Sequence, residues 1–233
     1  MARLVLPRPS PTRRRLFRLY EALARRYGPQ TWWLARSRFE AIVGAILTQD
    51  ATGRNAELAS GRLRQVRALE PQAIRRLPAG RLAELLRPSG TSRLKARRLG
   101  AYLEHLARRH RGDLDRMLRQ PARDLRAELS AIPGVGPETA DTILLYAAGR
   151  PVFVVDAYTR RILARHRLVG PGVSYASLQG LFAANLPRDP ALFNEFHALL
   201  MRVGKEHCRT RPRCEGCPLR PDLRGRPPRL ERR

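Results

Sequence analysis

The chain has 233 residues, enough to bury a real core as one domain or as two small ones. Its formal net charge is +26, from 46 Lys+Arg against 20 Asp+Glu, which suits a polyanionic partner and a binding strength that falls steeply with salt. The composition excludes two classes: no apolar run reaches the ~18 residues of a membrane span, and three cysteines clustered near the end make no disulfide framework.

Helical periodicity dominates from the start. The N-terminal MARLVLPRPSPTRRR has too short an apolar stretch for a signal peptide, which leads us to expect a cytoplasmic, nucleoid-associated protein. Leu16, Leu19, Tyr20, Leu23 and Ala24 make a first apolar face, and Phe39, Ile42, Val43, Ile46 and Leu47 a second. Leu82, Leu85 and Leu86 mark a short helix ended by Pro88-Ser89-Gly90. Leu94, Leu99, Leu103 and Leu106 mark a longer one, and Leu125, Leu129 and Ile132 lead into a glycine turn. Ile143, Leu144 and Ala147 follow, then Ile162 and Leu163, then Leu178, Leu181 and Phe182, and finally Phe193, Phe196, Leu199 and Leu200. Only Val152–Val155 has the composition of a strand, and it is short. The end of the chain, RPDLRGRPPRLERR, is rich in Arg and Pro and is expected to be disordered.

The most informative stretch runs from Leu129 to Arg161. Pro133-Gly134-Val135-Gly136 reads as a turn whose two glycines permit positive φ and close approach of a ligand. Pro137 stands where a helix begins, the position at which its missing N–H matters least. The N–H groups of the turn and the first helical turn then form an anion site with no charged side chain. Beyond the next helix and the PVFVV run stands Asp156, placed to cap a following helix. A phosphate-gripping turn with a fixed carboxylate beyond it points to chemistry on a nucleic-acid backbone unit.

The stretches FEAIVGAILTQD, LLRPSG followed by KARRL, IPGVGPETAD, VFVVDAYTRR, NEFHALLMRVGKEHC and CEGCPL occur in one order between Phe39 and Leu219. In that order they resemble the helix-hairpin-helix DNA glycosylase superfamily (HhH-GPD), most of all its endonuclease III-related branch that includes bacterial 3-methyladenine glycosylases. The resemblance implies an all-α fold of two helical lobes with a DNA-binding cleft between them. One lobe would comprise residues 1–37 and 155–218. The other would be an insert, 38–154, carrying the hairpin, with 219–233 as a tail. It implies a monomer acting on double-stranded DNA that contains a damaged base.

The resemblance also assigns roles. Asp156 takes the catalytic position, opposing the positive charge that develops on the deoxyribose as the base leaves. Gln49, at the LTQ motif, takes the position of a wedge filling the gap left by a flipped nucleotide, although a helix-end amide is the plainer reading. Gly134, Val135, Gly136, Thr139 and Arg160 are the expected DNA-contacting residues. Trp32 and Trp33 are candidates to line a base pocket or to pack as core. Gly53 replaces the aromatic residue often found four positions after the glutamine.

Glu138 is the main departure. Bifunctional relatives carry a lysine directly before Thr139-Ala140, and a carboxylate forms no Schiff base. We therefore expect a monofunctional glycosylase that hydrolyses the bond to an alkylated, 3-methyladenine-like base. The alternatives are a bifunctional glycosylase/lyase acting on oxidised pyrimidines and a non-catalytic DNA-binding module. Glu138 would position the attacking water or simply favour the helix N-terminus. Lys205, one of only two lysines with Lys95, is a further catalytic candidate or a solvated side chain. Cys208, Cys214 and Cys217 form C-x5-C-x2-C, against C-x6-C-x2-C-x5-C for the family's [4Fe–4S] loop. The fourth ligand position falls on Leu223. We read an incomplete cluster site and expect no cofactor, with a [4Fe–4S] cluster or a zinc ion shared with His207 as alternatives.

Overall fold

A computed structural model of the chain describes residues 10–30, 35–170 and 172–230. In chain order the helices are α1 (Pro11–Tyr27), α2 (Arg38–Leu47), α3 (Gly53–Gln65), α4 (Pro71–Arg76), α5 (Ala79–Leu85), α6 (Ser92–His110), α7 (Leu114–Leu118), α8 (Ala122–Ser130), α9 (Pro137–Tyr146), α10 (Ala157–Arg165), α11 (Tyr175–Asn185) and α12 (Pro190–Glu206). Short 3-10 turns occupy Arg87–Ser89 and Arg220–Leu223. The fold is all-α, with no strand among the described residues. None of these helices is long and apolar enough to cross a membrane. The chain divides into two compact units, Met1–Trp32 with Val152–Arg233, and Trp33–Pro151.

In the second unit α2 is the central helix. Ser37 starts it, its Oγ accepting from Glu40 N at 3.1 Å, while the Glu40 carboxylate accepts from Arg36 N at 2.9 Å and from Arg64. From Phe39 to Leu47 almost every side chain is buried. Each large apolar one contributes about 1.5–3 kcal/mol of burial. The helix packs on α3, α6 and α9. The periodicity did not reveal α3, because its inner face is mostly small (Ala56, Ala59, Ser60) with only Leu63 as a large residue. Leu99, Leu103 and Leu106 of α6 face inward as expected, but Leu94 is only half-buried. Lys95 takes the inner position instead, 0% exposed, its Nζ donating to Leu47 O at 2.8 Å and to Ser89 O. It thereby satisfies an open carbonyl at the C-terminus of α2.

In the first unit Val152–Val155 forms neither helix nor strand, and it supplies core. Phe153 stacks on Phe182, with centroids 3.6 Å apart, and meets Phe193 and Phe196 edge-on. Gln179 Nε2 donates to Phe153 O at 2.9 Å, so this non-helical backbone is satisfied by a side chain. α12 packs against α1 and α10. The segment after Leu219, expected to be disordered, is ordered as far as it is described. Leu223 is buried, and Asp222 binds Arg15 at 2.7 and 2.8 Å and His166 Nδ1 at 2.8 Å. Arg229 N donates to Arg165 O at 3.1 Å. One apolar anchor and one buried carboxylate outweigh the disordering composition of the segment.

Candidate active site

In the second unit α8 carries buried Leu125 and Leu129 and ends at Ser130, and buried Ile132 leads into the glycine turn. Val135 N donates to Ile132 O at 3.0 Å, closing the turn. Only one of the two glycines uses positive φ. Gly134 has φ 85°, whereas Gly136 has φ −81° and ψ 176° and forms the N-cap of α9. A Cβ on Gly134 would lie 2.4 Å from Arg98 Cγ; a Cβ on Gly136 would meet no protein atom within 4 Å. The fold therefore needs glycine at 134 and does not need it at 136. Among the described residues, the N–H groups of Gly134 and Gly136 donate to no protein carbonyl. They form, with the first turn of α9, an outward-facing group of donors. Val135 does not join them: it is 3% exposed and its N–H is already engaged.

Gln49 belongs to the same construction. Its Nε2 donates to Gly134 O at 2.9 Å and to Thr139 Oγ1 at 2.7 Å. Its Oε1 accepts from Arg98 Nη1 at 2.7 Å. Thr139, expected among the DNA-contacting residues, is buried and holds Gln49 instead. Glu138 lies exposed in the first turn of α9, where an acid is favoured by the helix dipole.

In the first unit Asp156 caps α10, its Oδ1 accepting from Thr159 N at 2.7 Å. The cap engages one carboxylate oxygen and leaves the other for a further contact. Oδ2 faces His197 Nε2 at 3.8 Å. His197 is buried, and burial lowers its pKa despite the pull of Asp156, which leaves a neutral ring beside the carboxylate. Lys205 responds the same way: desolvation lowers its pKa and Asp156 opposes the shift. Gly204 lets α12 approach α10, since a Cβ there would lie 2.4 Å from the Tyr158 ring. Tyr158, Arg161, Lys205 and Arg209 line a concave depression starting at Ala157, next to Asp156. The hollow is positively charged and begins one residue beyond the capping carboxylate. Arg160, expected on DNA, is half-buried and donates to Val173 O. Trp32 and Trp33 lie outside the described residues.

His207, Cys208, Cys214 and Cys217 line one small cavity of this unit. Burial raises the Cys217 thiol, and the two other thiols add to that. A [4Fe–4S] cluster takes four cysteine thiolates, and the chain holds three cysteines. Cys208 Sγ accepts from Arg165 Nη1 at 3.3 Å, and His207 Nδ1 donates to Arg213 O at 3.0 Å. This donor set does not fit a four-thiolate cluster. Arginines organise the loop instead. Arg161 Nε donates to Cys208 O at 2.6 Å, and Arg165 donates to Arg209 O at 2.5 Å and Thr210 O at 2.8 Å.

Sequence reasoning missed Arg98, His197 and Arg165. His197 left one signal, a histidine beside Phe196 on an otherwise apolar helix face. Arg98 and Arg165 left none, since nothing separates them from the other arginines of so basic a chain.

A glycine hairpin feeding a helix N-terminus, with a carboxylate fixed at the start of the next helix, is the make-up of a base-excision DNA glycosylase. The family model for HhH-GPD superfamily base excision DNA repair proteins matches residues 43–185, and the chain belongs to that superfamily. A relative from Methanocaldococcus jannaschii named as a DNA repair glycosylase is 39% identical over 207 residues, covering 88% of this chain and 94% of that one. Endonuclease III of Sulfolobus acidocaldarius is 29% identical over 187 residues, 79% of this chain and 81% of its own length. Among solved structures, a DNA-bound endonuclease III covalent intermediate superposes with a TM-score of 0.75 at 22% identity, covering 89% of this chain and 93% of that one. An H. pylori 3-methyladenine DNA glycosylase bound to 1,N6-ethenoadenine gives 0.70 at 24% identity, covering 82% and 97%. The fold is that of endonuclease III.

Proposed function

We propose that the protein is a monofunctional glycosylase that hydrolyses the N-glycosidic bond of an alkylated base in double-stranded DNA and leaves an abasic site. The observation that carries this reading is Asp156. One of its oxygens is fixed by the α10 amide and the other faces the His197 ring at 3.8 Å, while the next residue, Ala157, lines a basic hollow. A carboxylate held this way needs little reorganisation as positive charge develops on the sugar. An alkylated purine is already cationic and leaves readily, so such electrostatic help suffices. The hairpin amides of Gly134 and Gly136 would hold a phosphate, which positions the strand without reading its sequence. Glu138 supports the absence of lyase chemistry, since it stands where an amine would be required. The alkylated-base reading draws on branch resemblance and on the H. pylori neighbour's bound ligand. We propose further that no iron–sulfur cluster is involved, in keeping with the three-cysteine donor set.

Lys205 favours a second reading. An amine with a lowered pKa beside Asp156 has the properties of a Schiff-base nucleophile. One experiment separates the two. Duplexes carrying single lesions are incubated with the protein, with and without alkali, and with borohydride. Strand breaks only after alkali support the monofunctional reading. Breaks without alkali, with a trapped adduct lost in Lys205→Ala, would overturn it. No base release from any lesion would leave only DNA binding.

A further inference from the structure

The second unit holds a cluster of metal-ligating side chains apart from the hairpin residues. α6 is a helix of 19 residues that stops where Arg111 turns left-handed, with φ 57°. His110 is its last residue, and His105 lies on the turn before. Both rings direct Nε2 at the same oxygen of Glu128, on α8: His105 at 2.6 Å and His110 at 2.5 Å. The other carboxylate oxygen accepts from Gln120 Nε2 at 2.8 Å. The side chains are 21%, 9% and 12% exposed for His105, His110 and Glu128. Burial alone would raise the Glu128 carboxyl, but hydrogen bonds from His105, His110 and Gln120 overcome it and bring its pKa down to about 2.

The geometry points to a binding site for a first-row divalent transition metal, with zinc the ion the donors suit best, formed by His105, His110 and Glu128. Two imidazoles and one carboxylate are a common zinc donor set, completed by water. The three ligand atoms lie within 4.8 Å of one another. Zinc at its usual bond lengths needs donors about 3.3 Å apart, so the two nitrogen–oxygen edges have to open by under about 1 Å, and the nitrogen–nitrogen edge has to settle near the same length, to admit the ion. His105, the most exposed of the three, leaves the open side for water and for entry. His110 Nδ1 is buried without a hydrogen-bond partner among the described residues. The ion would join the end of α6 to α8, the helix that leads into the glycine turn. It would act as a staple beneath the phosphate-holding amides, not as part of the chemistry at Asp156.

The test uses the full chain titrated with Co2+ and Zn2+. We expect one equivalent of Co2+ to give the ligand-field bands of nitrogen and oxygen coordination, without the near-ultraviolet thiolate charge-transfer band that binding at the cysteines would add. Excess Zn2+ should raise the unfolding midpoint by on the order of 5–10 °C. Glu128→Gln should remove both signals. His105→Ala, at the more exposed position, should do the same if Glu128→Gln fails to fold. Absence of ligand-field bands, a thiolate band alone, or signals that persist in either folded variant would each overturn the assignment.

Discussion

Gly136 separates what the fold needs from what the ligand needs. Its φ of −81° suits any residue, and its Cβ position is empty of protein atoms. Gly136→Ala loses a little at the N-cap, where alanine is poorer than glycine by up to about 1 kcal/mol. It regains about 0.4–1 kcal/mol by restricting the unfolded chain. The two terms oppose each other, and stability should therefore move by about 1 kcal/mol or less. DNA affinity should not survive so well. A methyl group on the outer side of the turn blocks a phosphate from the free amide, and a hydrogen bond to a charged group is worth about 1.5–3 kcal/mol. That corresponds to roughly a 10- to 150-fold weaker Kd. Gly134→Ala is the control that should fail both ways. Its φ of 85° penalises a side chain by about 1–2 kcal/mol, and the new Cβ displaces Arg98. Thermal unfolding and fluorescence anisotropy on a lesion-bearing duplex at fixed salt read the two quantities. A Gly136→Ala protein that binds DNA as tightly as the wild type would refute the phosphate seat.

Asp156→Asn keeps the α10 cap, since asparagine caps as well as aspartate, and so isolates the charge. Single-turnover base release should fall by about 10²–10³ or more with DNA binding retained, and undiminished release would disprove the role. Arg98→Ala removes the donor to Gln49 Oε1 and should cost about 1 kcal/mol, with faster hydrogen exchange at the hairpin; unchanged exchange there would show that Arg98 does not brace the turn. Asp222 gives a pH dependence. Burial would raise its pKa, but hydrogen bonds from Arg15 and His166 bring it well below its ordinary 3.8. The folded-state value is depressed, so this stabilisation is complete above 3.8 and is lost as pH falls below it. Urea midpoints measured from pH 7 down to about pH 2 should drop, and Asp222→Asn should flatten that part of the curve. An equally steep drop in the variant would exclude Asp222 as its source.

Apolar periodicity exposed the long helices because each buries a face of large residues. It passed over α3, whose inner face is mostly alanine and serine, and the short α4 and α7. The Asp156 cap was legible from VVDAYTRR, a local signal read from neighbouring residues. The burial of the Thr139 and Val135 side chains was not legible, because burial depends on what packs from elsewhere in the unit. The Gln49–Arg98–Gly134 clamp was invisible for the same reason: it joins α2, α6 and the hairpin, which are far apart in sequence. The ordered end of the chain escaped because composition averages over the residues, whereas Leu223 and Asp222 act singly.

The arginine excess has two components that composition cannot divide. Several guanidinium groups gather backbone carbonyls instead of facing solvent. Arg150 collects those of Leu118, Arg119 and Gln120 at the end of α7, and Arg165 collects those of Arg209 and Thr210 in the cysteine loop. A planar fork of five donors reaches several acceptors at once, which a lysine's single ammonium does only from one point. At these positions arginine holds the fold, and its donors are taken up by carbonyls. Arg165→Lys tests the division because it keeps the net charge. Arg165 is buried, and losing one or two of its carbonyl contacts should lower stability by about 1–3 kcal/mol. The dependence of DNA affinity on salt should stay unchanged, since that slope counts only phosphate contacts. A shallower salt slope in Arg165→Lys, with stability intact, would place this arginine on the DNA and undo the assignment of the loop to arginine scaffolding.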